Sequence, residues 1–248
     1  MKRFILALTV VLLAFPVAAQ QWQWPDTGKN LTVLPKTTGG KDLQRIMFSY
    51  SNALGARCNF CHATEEGKTL TEADFASDDN PEKNVARTMI KMVDGINSQY
   101  LAGLRNQGGG TLEVSCITCH RGNSLPIPLE DKLKFTYDRS GIDSTIKEYH
   151  TLRDKYYGGF TYDFKEWPLQ RLADEILQDS TKKSDAMQIL RLNIEMNPSF
   201  APSYTRLGGL YEDEGNTGAA IENYQQAVKL DPRNWMAKRR LEALQGGK

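Results

Sequence analysis

Two copies of one five-residue pattern constrain this chain of 248 residues more than any other feature. Cys58-Asn59-Phe60-Cys61-His62 and Cys116-Ile117-Thr118-Cys119-His120 hold all 4 cysteines and two of the 3 histidines. Cys-x-x-Cys-His is the attachment signature of a c-type haem. Two thiols one helical turn apart can add across the two vinyl groups of one porphyrin. The imidazole that follows can bind the iron from the proximal side. Four thiols could instead hold zinc, or form two redox dithiols. Neither use explains a histidine directly after each pair. The expectation is therefore two covalent haems, tethered through Cys58, Cys61, Cys116 and Cys119, with His62 and His120 on the irons.

The N-terminus agrees with that chemistry. Lys2 and Arg3 precede an uncharged apolar run at residues 4–17, and Val17-Ala18-Ala19 supplies a small-residue cleavage site before Gln20. The run is shorter than the roughly 20 residues that span a bilayer. Residues 1–19 are read as a cleaved export signal, which places the mature protein in the periplasm, with any membrane association coming through a partner. Losing Lys2 and Arg3 takes the 31 basic residues to 29 against 30 acidic ones. That balance has no excess to neutralise a phosphate backbone, so no nucleic acid is expected. With 25% of its residues charged, the chain is too polar for a multi-span membrane protein.

A proximal histidine leaves the far side of each iron open. Only His150 remains after the motifs, so two bis-histidine haems cannot form within one chain. Methionine is the expected second ligand. Residues 42–54 carry a helical stripe of Leu43, Ile46, Met47, Tyr50 and Leu54, and Gly55 suits the turn that ends it. Met47 lies 11 residues before Cys58. A second helix opens at Asn80-Pro81, with Glu82 at the positive end of its dipole. Its stripe is Val85, Met89, Met92, Val93, Ile96 and Tyr100, and Gly108-Gly109-Gly110 breaks the chain before the second motif. Met89 and Met92 share a face, so one of them at most is a ligand. Spacing alone leaves each methionine as ligand or core. Lys83, Arg87 and Arg121 read as solvated charges, with haem propionates as the other role open to them.

These residues resemble the cytochrome c subunit of photosynthetic reaction centres, a family of repeated helix–turn–Cys-x-x-Cys-His units. The likeness covers residues 34–128. It runs through Met47-Phe48-Ser49-Tyr50-Ser51-Asn52-Ala53-Leu54-Gly55-Ala56-Arg57-Cys58, then Ala86-Arg87-Thr88-Met89-Ile90-Lys91-Met92, and then Cys116–His120 with Arg121-Gly122 and Pro126. The resemblance implies that a methionine on the helix before each motif binds iron: Met47 for the first haem, and Met89 over Met92 for the second. It departs in having two units where the four-haem members have four, and in lacking any histidine between His62 and His120.

The second half repeats at 34 residues. Ala201-Pro202-Ser203-Tyr204, Leu207-Gly208, Tyr211, Gly215, Ala219-Ala220, Tyr224, Ala227 and Pro232 follow the tetratricopeptide (TPR) pattern. Residues 167–200 read as a degraded earlier copy, 142–157 as one more helix, and 235–245 as a capping helix. The expected organisation is a signal peptide (1–19), an extension (20–33), a dihaem domain (34–128), a linker (129–138) and a TPR-like domain (139–248). The fold class is all-α, with little regular sheet around the haems and a short α-solenoid after them. The function expected is single-electron transfer between redox partner proteins, whether a reaction centre, a respiratory complex or soluble carriers. A protein partner docks on the repeats, and there is no small-molecule substrate. The rivals weighed are a dihaem peroxidase, for which only His150 is left as an extra catalytic imidazole, and a zinc-binding TPR adaptor. A fragment lacking 139–248 is expected to keep both haems.

Overall fold

The computed structural model describes residues 23–64, 69–104 and 112–246. The expected export signal, the start of the extension and the glycine run 108–110 lie outside them. Every regular element among the described residues is helical: α1 Gly40–Leu54, α2 Pro81–Gly95, α3 Cys116–His120, α4 Leu129–Tyr156, α5 Glu166–Ile176, α6 Lys183–Met196, α7 Ala201–Asp213, α8 Thr217–Leu230 and α9 Trp235–Gly246. The all-α expectation holds. None of these helices is long and apolar enough to cross a membrane.

The chain forms two compact units. One comprises residues to Ser51 with Arg57–Glu113, the other Asn52–Ala56 with Val114–Lys248. In the first, α2 begins as its sequence dictates. Asn80 is the N-cap and accepts from the Glu82 amide at 3.0 Å, and Pro81 takes the first turn, where no amide donor is needed. The helix runs on as one π-helical turn, Ile96–Tyr100. The extension is tied in rather than loose. Gly40 donates to Pro25 O at 2.7 Å, Trp24 meets Phe48 edge-on, and Asn30 donates to Ala76 O at 2.7 Å.

The second unit is a solenoid of antiparallel helix pairs, α5 with α6 and α7 with α8, capped by α9. Its repeat residues have visible jobs. Gly208 has no side chain because a Cβ there would sit 3.0 Å from the Tyr224 ring. Tyr224, 3% exposed, donates to Glu212 Oε2 at 3.0 Å, and Arg240 of the cap closes on Glu212. Buried Asn193 donates to Glu166 O within its own pair and to Ser203 Oγ of the next, at 2.8 Å each, and Ser203 donates back to Gln170 Oε1 at 2.9 Å. Each buried polar atom so paired avoids a desolvation penalty of about 1–3 kcal/mol.

The domain plan read from the sequence needs correcting at one join. Residues 129–138 are not a linker. They are the first half of α4, and Leu129 (1% exposed) and Leu133 (0%) lie in the same core as Leu169, Leu172, Ile189 and Leu190. Gly141, with φ +75°, breaks α4 just before the helix expected from 142. Residues 114–128, including the second Cys-x-x-Cys-His motif, group with the solenoid.

Candidate haem-binding sites

Both motifs fold as a single helical turn. In the first, Cys58–Phe60 is a 3-10 turn in which the amides of Cys61 and His62 donate to Cys58 O at 3.2 and 3.0 Å. In the second, α3 starts from a capping box in which Ser115 and Thr118 satisfy each other's backbone amides. All four thiols are free. Burial pushes the thiols of Cys61 and Cys116 up, which keeps them protonated and less reactive near neutrality.

The histidines supply the test of whether these residues suit a haem. His120 Nδ1 lies 2.9 Å from Asn123 O. A carbonyl only accepts, so Nδ1 carries the proton and Nε2 keeps the lone pair that a metal needs. This is the outer hydrogen bond that orients metal-binding imidazoles. His62 Nδ1 is buried with no hydrogen-bond partner. Burial and then the Lys83 ammonium lower the pKa of His62, with the Phe75 carbonyl opposing, so the neutral ring is favoured. The Phe75 ring packs edge-on against it, 5.0 Å between centroids. Among the described residues, no group of three or more His, Cys, Asp and Glu side chains is placed to hold a metal ion directly. The donor set is thus thiol pairs with one imidazole each, and it fits porphyrin iron better than zinc.

The methionines sit where the helices put them. Met47 on α1 and Met89 on α2 are half-buried, whereas Met92 is 45% exposed. The stripe of α2 is not a packed core face. Val85 is 53% exposed, Tyr100 is 73% exposed, and the one buried residue of the helix is Lys83. An apolar face left open in this way suits a flat apolar ligand. Met47, Met89 and the first motif fall in the first unit; Cys116, Cys119 and His120 fall in the second. His150, on α4, is half-buried and edge-on to Tyr149.

Lys83 and Arg87 are not solvated charges. Lys83 Nζ donates to the carbonyls of Phe75, Ala76 and Ser77 at 3.1, 3.0 and 2.5 Å and pairs with Asp78 at 3.2 Å. Arg87 pairs with Asp78 at 2.9 Å. Together they staple the segment that carries Phe75 against His62. Asn80, at the head of α2, donates to Phe60 O of the first motif at 3.1 Å. Sequence reading missed this framework: Asn30, Asp78 and Asn80 carry polar side chains like any others on the surface, and only the fold shows which carbonyls they reach. Arg121 is likewise engaged, donating to Thr118 O at 3.3 Å.

Comparison with known proteins gives two family matches. Residues 63–136 match the family described as photosynthetic reaction centre cytochrome C subunit, and residues 201–234, which are α7, α8 and the turn beyond, match the tetratricopeptide repeat. Cytochrome c-554 of Chloroflexus aurantiacus is 34% identical over 115 residues, 46% of this chain and 25% of that protein. The photosynthetic reaction center cytochrome c subunit of Thermochromatium tepidum is 38% identical over 100 residues, 40% of this chain and 21% of its own. That of Rubrivivax gelatinosus is 29% identical over 112 residues, 39% and 28% respectively. The chain spans about a quarter of the length of these relatives. Among solved structures, the first TPR domain of human RPAP3 aligns at 19% identity and TM-score 0.33, over 48% of this chain and 87% of that one. The resemblance to reaction-centre cytochrome c subunits, followed by a TPR segment, is therefore found by comparison as well as in the motifs.

Proposed function

We propose that this chain is an exported dihaem c-type cytochrome that passes single electrons between redox partner proteins in the periplasm. The observation that carries the reading is the pair of Cys-x-x-Cys-His turns, the second with its imidazole already oriented through Nδ1. When bound, each haem supplies a one-electron iron couple. The protein's own residues do the rest. Cys58 and Cys61, and Cys116 and Cys119, tether the porphyrins. His120 would present Nε2 to one iron, and His62 would be the imidazole for the other. Met47 and Met89 are the methionines that would supply the second ligands, and a thioether would raise the potential relative to a second imidazole. If both positions are filled in this way, no iron position would be left for substrate, which is what distinguishes this reading from a peroxidase. The redox partners are a reaction centre or respiratory complex and soluble carriers, and the repeat segment docks a protein.

The experiment is a pyridine haemochrome assay with iron per chain, on protein made with a cytochrome c maturation system. Two haems and two irons per chain, low-spin at rest, are expected. A colourless product with free thiols or bound zinc overturns the proposal.

A further inference from the structure

We infer that the helical-repeat unit is the outer anchor of the second motif's iron-binding imidazole, with Tyr162 as its positioning residue. The inference rests on the dihaem reading above. It goes beyond it, because a repeat segment read as a docking module would then also tune a cofactor.

The chain of contacts is short. His120 Nδ1 donates to Asn123 O at 2.9 Å. The placing of that carbonyl depends on the Asn123 side chain, whose amide donates both its protons at 2.7 Å, one to Leu125 O and one to the Tyr162 hydroxyl. Tyr162 is 8% exposed, and its ring meets Tyr156 and Phe164 edge-on at 5.4 and 6.2 Å. Both tyrosine and phenylalanine pack with the Leu129–Leu133 core of α4. The hydroxyl that holds Asn123 is therefore fixed by the solenoid core. The neighbouring residue adds a second stitch, since Thr161 Oγ1 donates to Arg121 O at 2.6 Å. That bond lies where the chain needs holding: Arg121 caps α3 in the left-handed region, at φ +49°, an uncommon backbone state for a residue with a side chain.

The direction of the effect follows from ligand basicity. A firm Nδ1–H···O=C bond makes the imidazole a stronger electron donor and favours the ferric state. Removing the Tyr162 hydroxyl frees one Asn123 proton, loosens the 120–125 turn and weakens that bond. The potential of one haem should rise while the other stays.

The test uses the full haem-loaded chain. Tyr162→Phe keeps the ring and removes the hydroxyl, Thr161→Val removes the second stitch, and Tyr224→Phe serves as a control that deletes a similar hydroxyl bond elsewhere in the solenoid. Potentiometric titration of Tyr162→Phe should shift one of two components by about tenfold in its redox equilibrium, roughly 59 mV for one electron. Thr161→Val should move the same component the same way. Two haems per chain should remain, and amide hydrogen exchange at Gly122 and Asn123 should quicken. The inference is overturned if neither component moves, if both move together, if exchange quickens without a shift in potential, or if Tyr224→Phe gives the same shift. A wild-type chain without haem refutes the proposed function instead. Exchange then judges the anchor alone, and unchanged rates in Tyr162→Phe overturn it.

Discussion

Gly55→Ala should damage the second unit more than a methyl group added at Gly215. Gly55 follows α1 with φ +61°, and a Cβ built on it would lie 2.1 Å from Gly122 O and 2.8 Å from Gly122 C. Gly122 is also bonded to the end of α1, its amide donating to Ala53 O at 2.8 Å. The left-handed backbone costs an alanine about 1–2 kcal/mol. Pushing Gly122 aside forfeits a hydrogen bond worth about 0.5–1.5 kcal/mol net. With the remaining contact strain, the loss should reach about 2–4 kcal/mol, or a fall in melting temperature of roughly 4–16 °C for a unit of this size. Gly215→Ala is the internal standard: φ there is +74°, but nothing lies within 4 Å of an added Cβ, so only the backbone cost of about 1–2 kcal/mol applies. Thermal unfolding by circular dichroism on the haem-loaded chain measures both. If Gly55→Ala is no worse than Gly215→Ala, the close approach of the two glycines contributes nothing and the reasoning is refuted.

Three further outcomes are expected. Met47→Ala should lower the potential of one haem and let an added ligand reach its iron, and Met89→Ala should do the same to the other. Met92→Ala, on an exposed side chain, should leave both titrations unchanged, and the reverse pattern in redox titrations would exchange the roles of Met89 and Met92. Acid should loosen the first unit through Asp78, whose carboxyl is held well below the ordinary range first by Arg87, then by Asn30 and Lys83. Because the folded pKa is the lower one, the stability it lends is full above about pH 4 and fades as pH falls through the folded value. Asp78→Asn should remove that acid dependence from hydrogen exchange at residues 75–78, and identical profiles would show that Asp78 contributes none of it. A chain ending at residue 138 should carry one haem, not the two expected from sequence alone, since it lacks Thr161, Tyr162 and the core that buries Leu129 and Leu133; a haem count of two per chain would count against the anchor.

What could be read in advance was whatever local chemistry dictates. The start of α2 follows from Asn80-Pro81-Glu82, since capping is decided within four residues. The 34-residue period gave α5 to α9 almost entire, because each repeat packs only on its neighbours and Gly208 against Tyr224 is a contact between the two helices of one repeat. The Cys-x-x-Cys-His pairs announced their use because the covalent chemistry fixes their spacing. The polar framework was illegible for the opposite reason. Lys83 looks like any helical lysine, and its burial follows from three carbonyls in a loop whose path no periodicity encodes. Asn123 and Tyr162 lie 39 residues apart, and neither carries a motif.

The misplaced domain join has the same origin and a further consequence. The linker expected at 129–138 follows two prolines, Pro126 and Pro128, yet Pro128 is the N-cap of α4, and a proline before a helix is as good a start signal as a spacer signal. The apolar residues that follow, Leu129 and Leu133, stand four apart, as a buried helix face requires, and the solenoid core is where they go. Once α4 belongs to the solenoid, the turn that precedes it, with His120 and Asn123, is held by the solenoid as well. A mutation that destabilises α4 or the 157–164 segment should therefore disturb the second haem before it disturbs the first.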